Sequence, residues 1–503
     1  MTATTIMVQG TGSSVGKSTL VTALCRIFLQ DGLRVAPFKA QNMSNNAFVT
    51  PDALEIGRSQ AVQAAAAGVE PSSDMNPILL KPEGDGRSQV ILNGKPAGSF
   101  KARSYYEGRD KLWGAVTSAL DRLRTQYDVV CIEGAGSPAE VNLRDLDIVN
   151  MEIALYCQAP VLLAADIDRG GVFASLLGTL ELLRPDERQL VRGLVINKFR
   201  GDRSLLEPLP QMISDRTGVP VIGVVPMVPD LQVQEEDGMS LERERRHASR
   251  GQLSAVVIRL PRISNFDDFD PLVRAGVSVR YVQDPADVAS AHLVIIPGTK
   301  HTIADLRWMK SRGLDVAIRD AARRGVTVLG ICGGYQMLGE KLDDPDGADG
   351  GESAHETGLG LLPVKTQFRS EKVTRRVRFR ITVDSEFGLS SGTRGIGYEI
   401  HTGETVAAQP GALTPLLELD RGDGVPVADG AVASGGSVVG CYVHGLFDSP
   451  GVLEPLLRAI ADKNGIALPN VRPFSMEAEY DRLAAAIRSS LDMEDVYRMM
   501  GIR

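Results

Sequence analysis

Val326-Thr327-Val328-Leu329-Gly330-Ile331-Cys332-Gly333-Gly334-Tyr335-Gln336-Met337 decides how the second half of this chain is read. The apolar, β-branched run into Gly330 predicts a buried strand, the glycines flanking Cys332 a sharp turn, and Tyr335, Met337 and Leu338 the apolar side of a helix. A thiol on such a turn has small neighbours that admit a substrate, and a helix N-terminus favours its thiolate. Lone cysteines in apolar surroundings are more often core filler. Here the surrounding glycines and a later histidine motif favour a nucleophile.

The segments before it repeat a strand-helix alternation: strands Ser254 to Leu260, Val277 to Val282 and Leu293 to Pro297, then helices Thr302 to Arg312 and Leu314 to Arg324. Parallel strands with crossover helices place their loops on one edge of the sheet. Gly298, after the third strand, and Gly333, beside the nucleophile, are therefore the expected oxyanion donors. After it, Asp343 to Gly358 reads as a mobile surface loop, and Val373 to Val383 as a strand carrying Arg375, Arg376, Arg378 and Arg380. That arginine stripe is either a polyanion-attracting surface or a solvated strand face. His401 and His444 both end apolar strands. His444 follows the stronger one and is the expected general base for Cys332, with His401 a reserve or structural histidine.

The first half opens with a strand, Ile6 to Gln9, leading into Gly10-Thr11-Gly12-Ser13-Ser14-Val15-Gly16-Lys17-Ser18 and a helix from Thr19 to Leu29. This is a phosphate loop at a strand-helix junction, where backbone N–H groups and Lys17 hold phosphate oxygens and Ser18 is the expected magnesium ligand. Five residues separate Gly10 from Gly16, one more than in the common motif. A second strand, Leu33 to Phe38, delivers Lys39-Ala40-Gln41-Asn42-Met43-Ser44-Asn45-Asn46 to the same edge, where open α/β sheets bind ligands. Lys39 is placed to steady a carboxylate or a phosphoryl group in transfer. Asp52, at the expected start of a helix running to Ala67, is either a cap-region acid or a magnesium ligand. Tyr127 to Ile132 ends in Glu133, the usual position of a carboxylate facing Mg-ATP. Strands Pro160 to Ala165, Gly193 to Asn197 and Pro220 to Val225 complete the series. Asn197 is either an adenine reader or a loop-capping asparagine.

The 503 residues, 43% hydrophobic and 23% charged, predict more than one domain. The expected division is a P-loop domain over 1–228, a charged linker over 229–252, a second α/β domain over 253–470 and a helical tail over 471–503. Both domains are expected to be doubly wound. A net charge of -8 argues against nucleic acid or an anionic membrane as the main partner. No apolar run is long enough to span a membrane and no leader pattern is visible, so a cytoplasmic enzyme is expected. Five scattered cysteines show neither a disulfide framework nor a zinc knuckle.

Gly330-Ile331-Cys332-Gly333-Gly334-Tyr335-Gln336 together with Tyr442-Val443-His444-Gly445-Leu446-Phe447 resembles the class I glutamine amidotransferases of the cobyric acid synthase type. The loop Gly10 to Ser18 is similar to that of dethiobiotin synthetase-like enzymes, and Phe38 to Asn46 to the signature of the cobyric acid synthase family. The resemblance implies ATP- and glutamine-dependent amidation of a corrinoid carboxylic acid. It implies a glutamyl thioester on Cys332, His444 as its base and Gln336 helping to hold glutamine. It further implies ATP at Lys17, Ser18 and Asn197, Mg2+ at Ser18 and Glu133, and acyl-phosphate oxygens at Lys39. Two other readings are a cobyrinic acid a,c-diamide synthase and a ParA/MinD-like switch ATPase, whose signature lysine would stand at Gly12. The class I pattern puts a glutamate two residues after the histidine. Leu446 occupies that place here, leaving either a Cys-His dyad or an acid from elsewhere, such as Glu399.

Overall fold

The computed structural model describes residues 2–84, 86–101, 104–105, 107–233, 253–385, 388–433, 436–468 and 474–502. The charge-dense stretch 234–252 lies outside them. The chain divides into two compact units. The first takes the sequence through Ser44, resumes at Leu54 and ends with the segment from Ser475; the second takes Asn45–Ala53 and the remainder.

The first unit is built on a six-stranded sheet in the order Val221–Pro226, Val191–Phe199, Val161–Asp166, Thr4–Gly10, Val129–Glu133, Val35–Phe38. Every pairing in it is parallel. Its strands are almost wholly apolar and buried, because crossover helices cover both faces. Thr4–Gly10 lies centrally, between Val161–Asp166 and Val129–Glu133, so its C-terminal turn opens where successive connections diverge to opposite sides of the sheet.

Two expectations for the first half of the sequence change. The helix expected from Asp52 begins only at Arg58 and runs to Ala66. Ala53 N–H bonds to Thr50 O at 3.0 Å and Ala53 has φ +61°, so Thr50-Pro51-Asp52-Ala53 is a tight turn that no helix can pass through. A second, four-stranded sheet, Gln41–Met43, Ile78–Gly84, Arg87–Leu92 and Lys95–Lys101, is also present beyond the expected series. The C-terminal helices Met476–Arg488 and Met493–Met500 close the unit. Asp492 N–H bonds to Ile222 O at 2.8 Å, and Phe28 and Tyr497 pack with ring centroids 5.6 Å apart.

The second unit has a six-stranded sheet ordered Ser278–Val282, Ser254–Ile258, Leu293–Ile296, Thr327–Ile331, Val438–Cys441, Ala431–Val432, parallel except at the last pair. A second sheet is centred on the long strand Val364–Ile381, with Arg394–Ala407 antiparallel to it. The stretch expected as a mobile loop, Asp343 to Gly358, instead contributes to strands Lys341–Asp344 and Ala354–Thr357. Its buried Asp349 accepts the first N–H groups of the helix Thr302–Ser311, from Thr302 at 2.8 Å and Ile303 at 2.9 Å. An acid that satisfies a buried helix start is a structural part of the core.

Candidate functional site

In the second unit Cys332 stands at the turn between the strand Thr327–Ile331 and the short helix Gly333–Leu338. Its φ of +52° lies in the left-handed region, a conformation that costs a non-glycine residue about 1–3 kcal/mol and is kept where the surroundings enforce it. The enforcement is visible: Cys332 N–H bonds to Cys441 O at 2.8 Å, and a Cβ on Gly334 would lie 1.9 Å from Ile296 O. The helix can therefore approach the neighbouring strand only if residue 334 is glycine. The thiol donates to Ile400 O at 3.4 Å.

His444 is 1% exposed and contacts Cys332 through its side chain. Its Nδ1 lies 2.6 Å from Asp268 Oδ2, while Asp268 Oδ1 accepts Gly445 N–H at 3.0 Å. Burial by itself lowers the imidazole pKa; Asp268 and the contact with Cys332 outweigh it and raise the value to about 10. Tyr398 stacks on the His444 ring at 5.2 Å and 16°, and the two backbones exchange hydrogen bonds at 2.9 and 3.1 Å.

Asp268 is the member the sequence did not supply. It sits in the turn Phe266–Phe269, which follows the sheet strand Ser254–Ile258. Asp267 and Asp268 resemble surface acids, yet both are 4% exposed because the turn is folded into the unit with Phe269 in the core. The available signal was Asn265-Phe266-Asp267-Asp268-Phe269, acids enclosed by aromatics beyond a strand end. Glu399, named as a possible orienting acid, instead forms two 2.8 Å bonds with Arg421 and lies 3.4 Å from His401. His401 stacks on Tyr442 and points its Nδ1 at Gly403 O, 2.8 Å away.

Gln336 is buried with both ends of its amide engaged, accepting from Thr302 Oγ1 at 2.9 Å and donating to Tyr442 Oη at 3.0 Å. Gly298 lies against His444, where a Cβ would come within 3.1 Å of Cε1, and Gly333 lies against Thr299. The arginine stripe is dispersed: Arg380 pairs with Glu418 at 2.8 Å, Arg375 with Asp423 at 3.7 Å, and Arg376 packs over Phe48.

In the first unit the turn from Gly10 to Ser18 carries Gly16 at φ +96°, immediately before the helix Lys17–Gln30. Lys17 Nζ donates to Gly12 O at 2.9 Å and Gly136 O at 3.0 Å. Asn197 Nδ2 donates to Val15 O at 2.8 Å, bracing the loop from the Val191–Phe199 strand. Glu133, 1% exposed, gathers the rest: Oε1 accepts from Ser18 Oγ at 2.8 Å and Lys39 Nζ at 2.9 Å, and Oε2 accepts from Gln63 Nε2 at 2.5 Å. Burial pushes this carboxyl up, but Lys39, Gln63 and Ser18 together hold it below its ordinary range. Ser18, Lys17, Lys39 and Glu133 are thus brought together, with Gln63 as an unforeseen partner. Asp52 groups with the second unit, exposed, and accepts from Thr50 Oγ1. Among the described residues no cluster of acids, histidines and cysteines has the make-up of a protein-only metal site. None of their helices is long and apolar enough to cross a membrane.

Two family models match the chain: a CobQ/CobB/MinD/ParA nucleotide binding domain over residues 6–241 and a CobB/CobQ-like glutamine amidotransferase domain over residues 254–452. The cobyric acid synthase of Sorangium cellulosum is 51% identical, covering 100% of this chain and 99% of that protein. Those of Dehalococcoides mccartyi (strain CBDB1) and Desulforudis audaxviator are 50% and 49% identical, with coverage of 99% or more on both sides.

Proposed function

Because this chain belongs to the cobyric acid synthase family, we propose that it uses ATP and glutamine to amidate the b, d, e and g side-chain carboxylates of adenosylcobyrinic acid a,c-diamide. The observation that carries the reading is the presence in one chain of a Cys332-His444-Asp268 constellation and a phosphate loop with a buried Lys39-Glu133 pair.

At the first site Cys332 Sγ attacks the side-chain carbonyl carbon of glutamine. The C–N bond breaks as His444 delivers its proton to the leaving nitrogen, giving ammonia and a glutamyl thioester. Water then cleaves the thioester to glutamate, and the proton returns to the Cys332-His444 pair. Asp268 holds the imidazole in the orientation and charge state that this transfer needs, and Gly298 and Gly333 supply N–H groups to the oxyanion. Gln336 acts on bound glutamine through the Thr302 and Tyr442 hydroxyls it fixes.

At the second site a corrinoid carboxylate oxygen attacks the γ-phosphorus of ATP, releasing ADP and forming an acyl phosphate. Ammonia displaces phosphate from the acyl carbon and, with loss of a proton, leaves the amide. Lys17 and the backbone of Gly10 to Ser18 hold the phosphates, Lys39 neutralises the acyl-phosphate oxygens, and Asn197 completes the nucleotide site. The adjacent oxygens of Ser18 and Glu133 fit a Mg2+ ion, which supplies charge neutralisation of the ATP phosphates.

The test is amidation of defined corrinoids, with amides counted by mass. Cobyrinic acid a,c-diamide should gain amides at b, d, e and g and nowhere else; amidation confined to the a and c positions of cobyrinic acid would overturn the substrate assignment. Cys332→Ser should abolish glutamine-supported but not ammonium-supported amidation.

A further inference from the structure

The short strand Ala47–Val49 comes from the amino-terminal half of the sequence, directly after the motif Lys39 to Asn46, yet it belongs to the second unit. There it touches both partners of the His444-Asp268 pair through one intermediary each. Ala47 N–H donates to Asn265 Oδ1 at 3.0 Å. Asn265, at φ 50° and 3% exposed, caps the turn bearing Asp268 and accepts Asp268 N–H with its own carbonyl at 3.1 Å. On the other side the Phe48 ring lies 5.7 Å from that of Tyr398, which is stacked on His444. Arg376 locks the segment by donating Nε–H to Val49 O at 2.9 Å and laying its guanidinium 5.2 Å from the Phe48 ring centroid.

A strand that does nothing but fill space has no reason to converge on the two ends of one hydrogen bond. We propose that Ala47–Val49 sets the register of the His444-Asp268 pair, with Phe48 a positioning residue for glutamine hydrolysis. The aromatic face of Phe48 fixes the plane of Tyr398 and, through it, the tilt of the imidazole; the Ala47-Asn265 bond fixes the height of the Asp268 carboxylate. A proton-transfer pair tolerates little displacement, and a shift of about 1 Å costs on the order of 100-fold in rate. This inference rests on the glutamine-hydrolysing reading of the Cys332 site.

The experiment measures glutamine hydrolysis and ammonium-supported amidation by the full chain carrying Phe48→Ala, Phe48→Leu, Phe48→Tyr or Asn265→Ala. Phe48→Ala and Phe48→Leu should each lower kcat for hydrolysis by about 10- to 100-fold with KM for glutamine within about 3-fold, while ammonium-supported amidation persists. Phe48→Tyr keeps the aromatic face and should restore kcat. Asn265→Ala should lower kcat independently and narrow the pH range of activity. If leucine serves as well as phenylalanine, or both activities fall together, the segment is packing only and the proposal fails. If the unsubstituted protein shows no Cys332-dependent hydrolysis at all, the glutaminase reading itself fails first.

Discussion

His444 Nδ1 and Asp268 Oδ2 lie 2.6 Å apart in a site where both residues are almost fully buried. A carboxylate from far earlier in the chain thus faces the imidazole, whereas the class I pattern would draw its acid from residue 446, which is Leu446 here. Asp268→Asn removes the charge while keeping the shape. Glutamine-supported amidation should fall on the order of 100-fold or more, as for loss of an orienting acid, with ammonium-supported amidation unaffected.

The same substitution has a pH signature. His444 has a native pKa raised from 6.5 to about 10, so the native state holds its proton more tightly than the unfolded chain does. The resulting stabilisation is complete below pH 6.5 and is lost as pH rises to about 10. The stability gap between the unsubstituted protein and Asp268→Asn should therefore be widest just below pH 6.5 and shrink toward pH 10. Denaturant midpoints across that range check it, and a gap that widens with alkalinity would contradict the assignment of charge to His444.

Lys39 and Glu133 form the corresponding pair in the first unit, 2.9 Å apart with side chains 8% and 1% exposed. Lys39→Met strands a buried carboxylate, at a cost of about 3–5 kcal/mol near neutrality. It should also remove ATP-dependent amidation with either nitrogen source. Since the native Glu133 pKa is lowered below 4.5, its stabilising contribution exists above that pH and disappears as pH falls through the native value. Acidification below pH 4.5 should thus narrow the gap to Lys39→Met. Adding Glu133→Gln should recover much of the loss at neutral pH, because the charge left unpaired is then gone; no recovery would mean that Lys39 stabilises through packing alone.

Strand-helix alternation was legible because each parallel strand is a short apolar run ending in a glycine-rich or polar loop, as at Gly10, Glu133 and Gly330. Cys332 between its glycines, His444 at a strand end and Lys17 after Gly16 are legible as site candidates in the same way, from the loops they stand on. Burial of polar groups is not. Asp349 and Gln63 give no sign of their partners, and Asp268 only the faint one of its aromatic neighbours, because a carboxylate or amide reads as solvent-facing until its hydrogen-bond partners are known. The turn at Ala53 is illegible for a different reason: alanine, unlike glycine or asparagine, carries no signal of a positive φ.

Glycines at the Cys332 elbow and on a surface helix give a last contrast, because two Gly→Ala changes with opposite signs can be read from the space around them. At Gly334 the added methyl would meet Ile296 O at 1.9 Å and Pro297 O at 3.0 Å, both backbone atoms anchored by the sheet strand that ends at Ile296. Relief requires the helix Gly333–Leu338 to move off that strand, which carries Cys332 with it. Gly334→Ala should cost about 1–3 kcal/mol or more, and should abolish glutamine-supported activity before ammonium-supported activity is touched. Gly114 lies inside the helix Arg109–Gln126, where an added methyl would meet nothing among the described residues within 4 Å. There the alanine only restricts the unfolded chain and improves helix propensity, so Gly114→Ala should gain about 0.5–1 kcal/mol with activity unchanged. Denaturant unfolding of both variants beside the unsubstituted protein decides it. Tolerance of alanine at 334 would mean that the elbow yields, and that close helix-strand packing is not what holds the nucleophile at its positive φ.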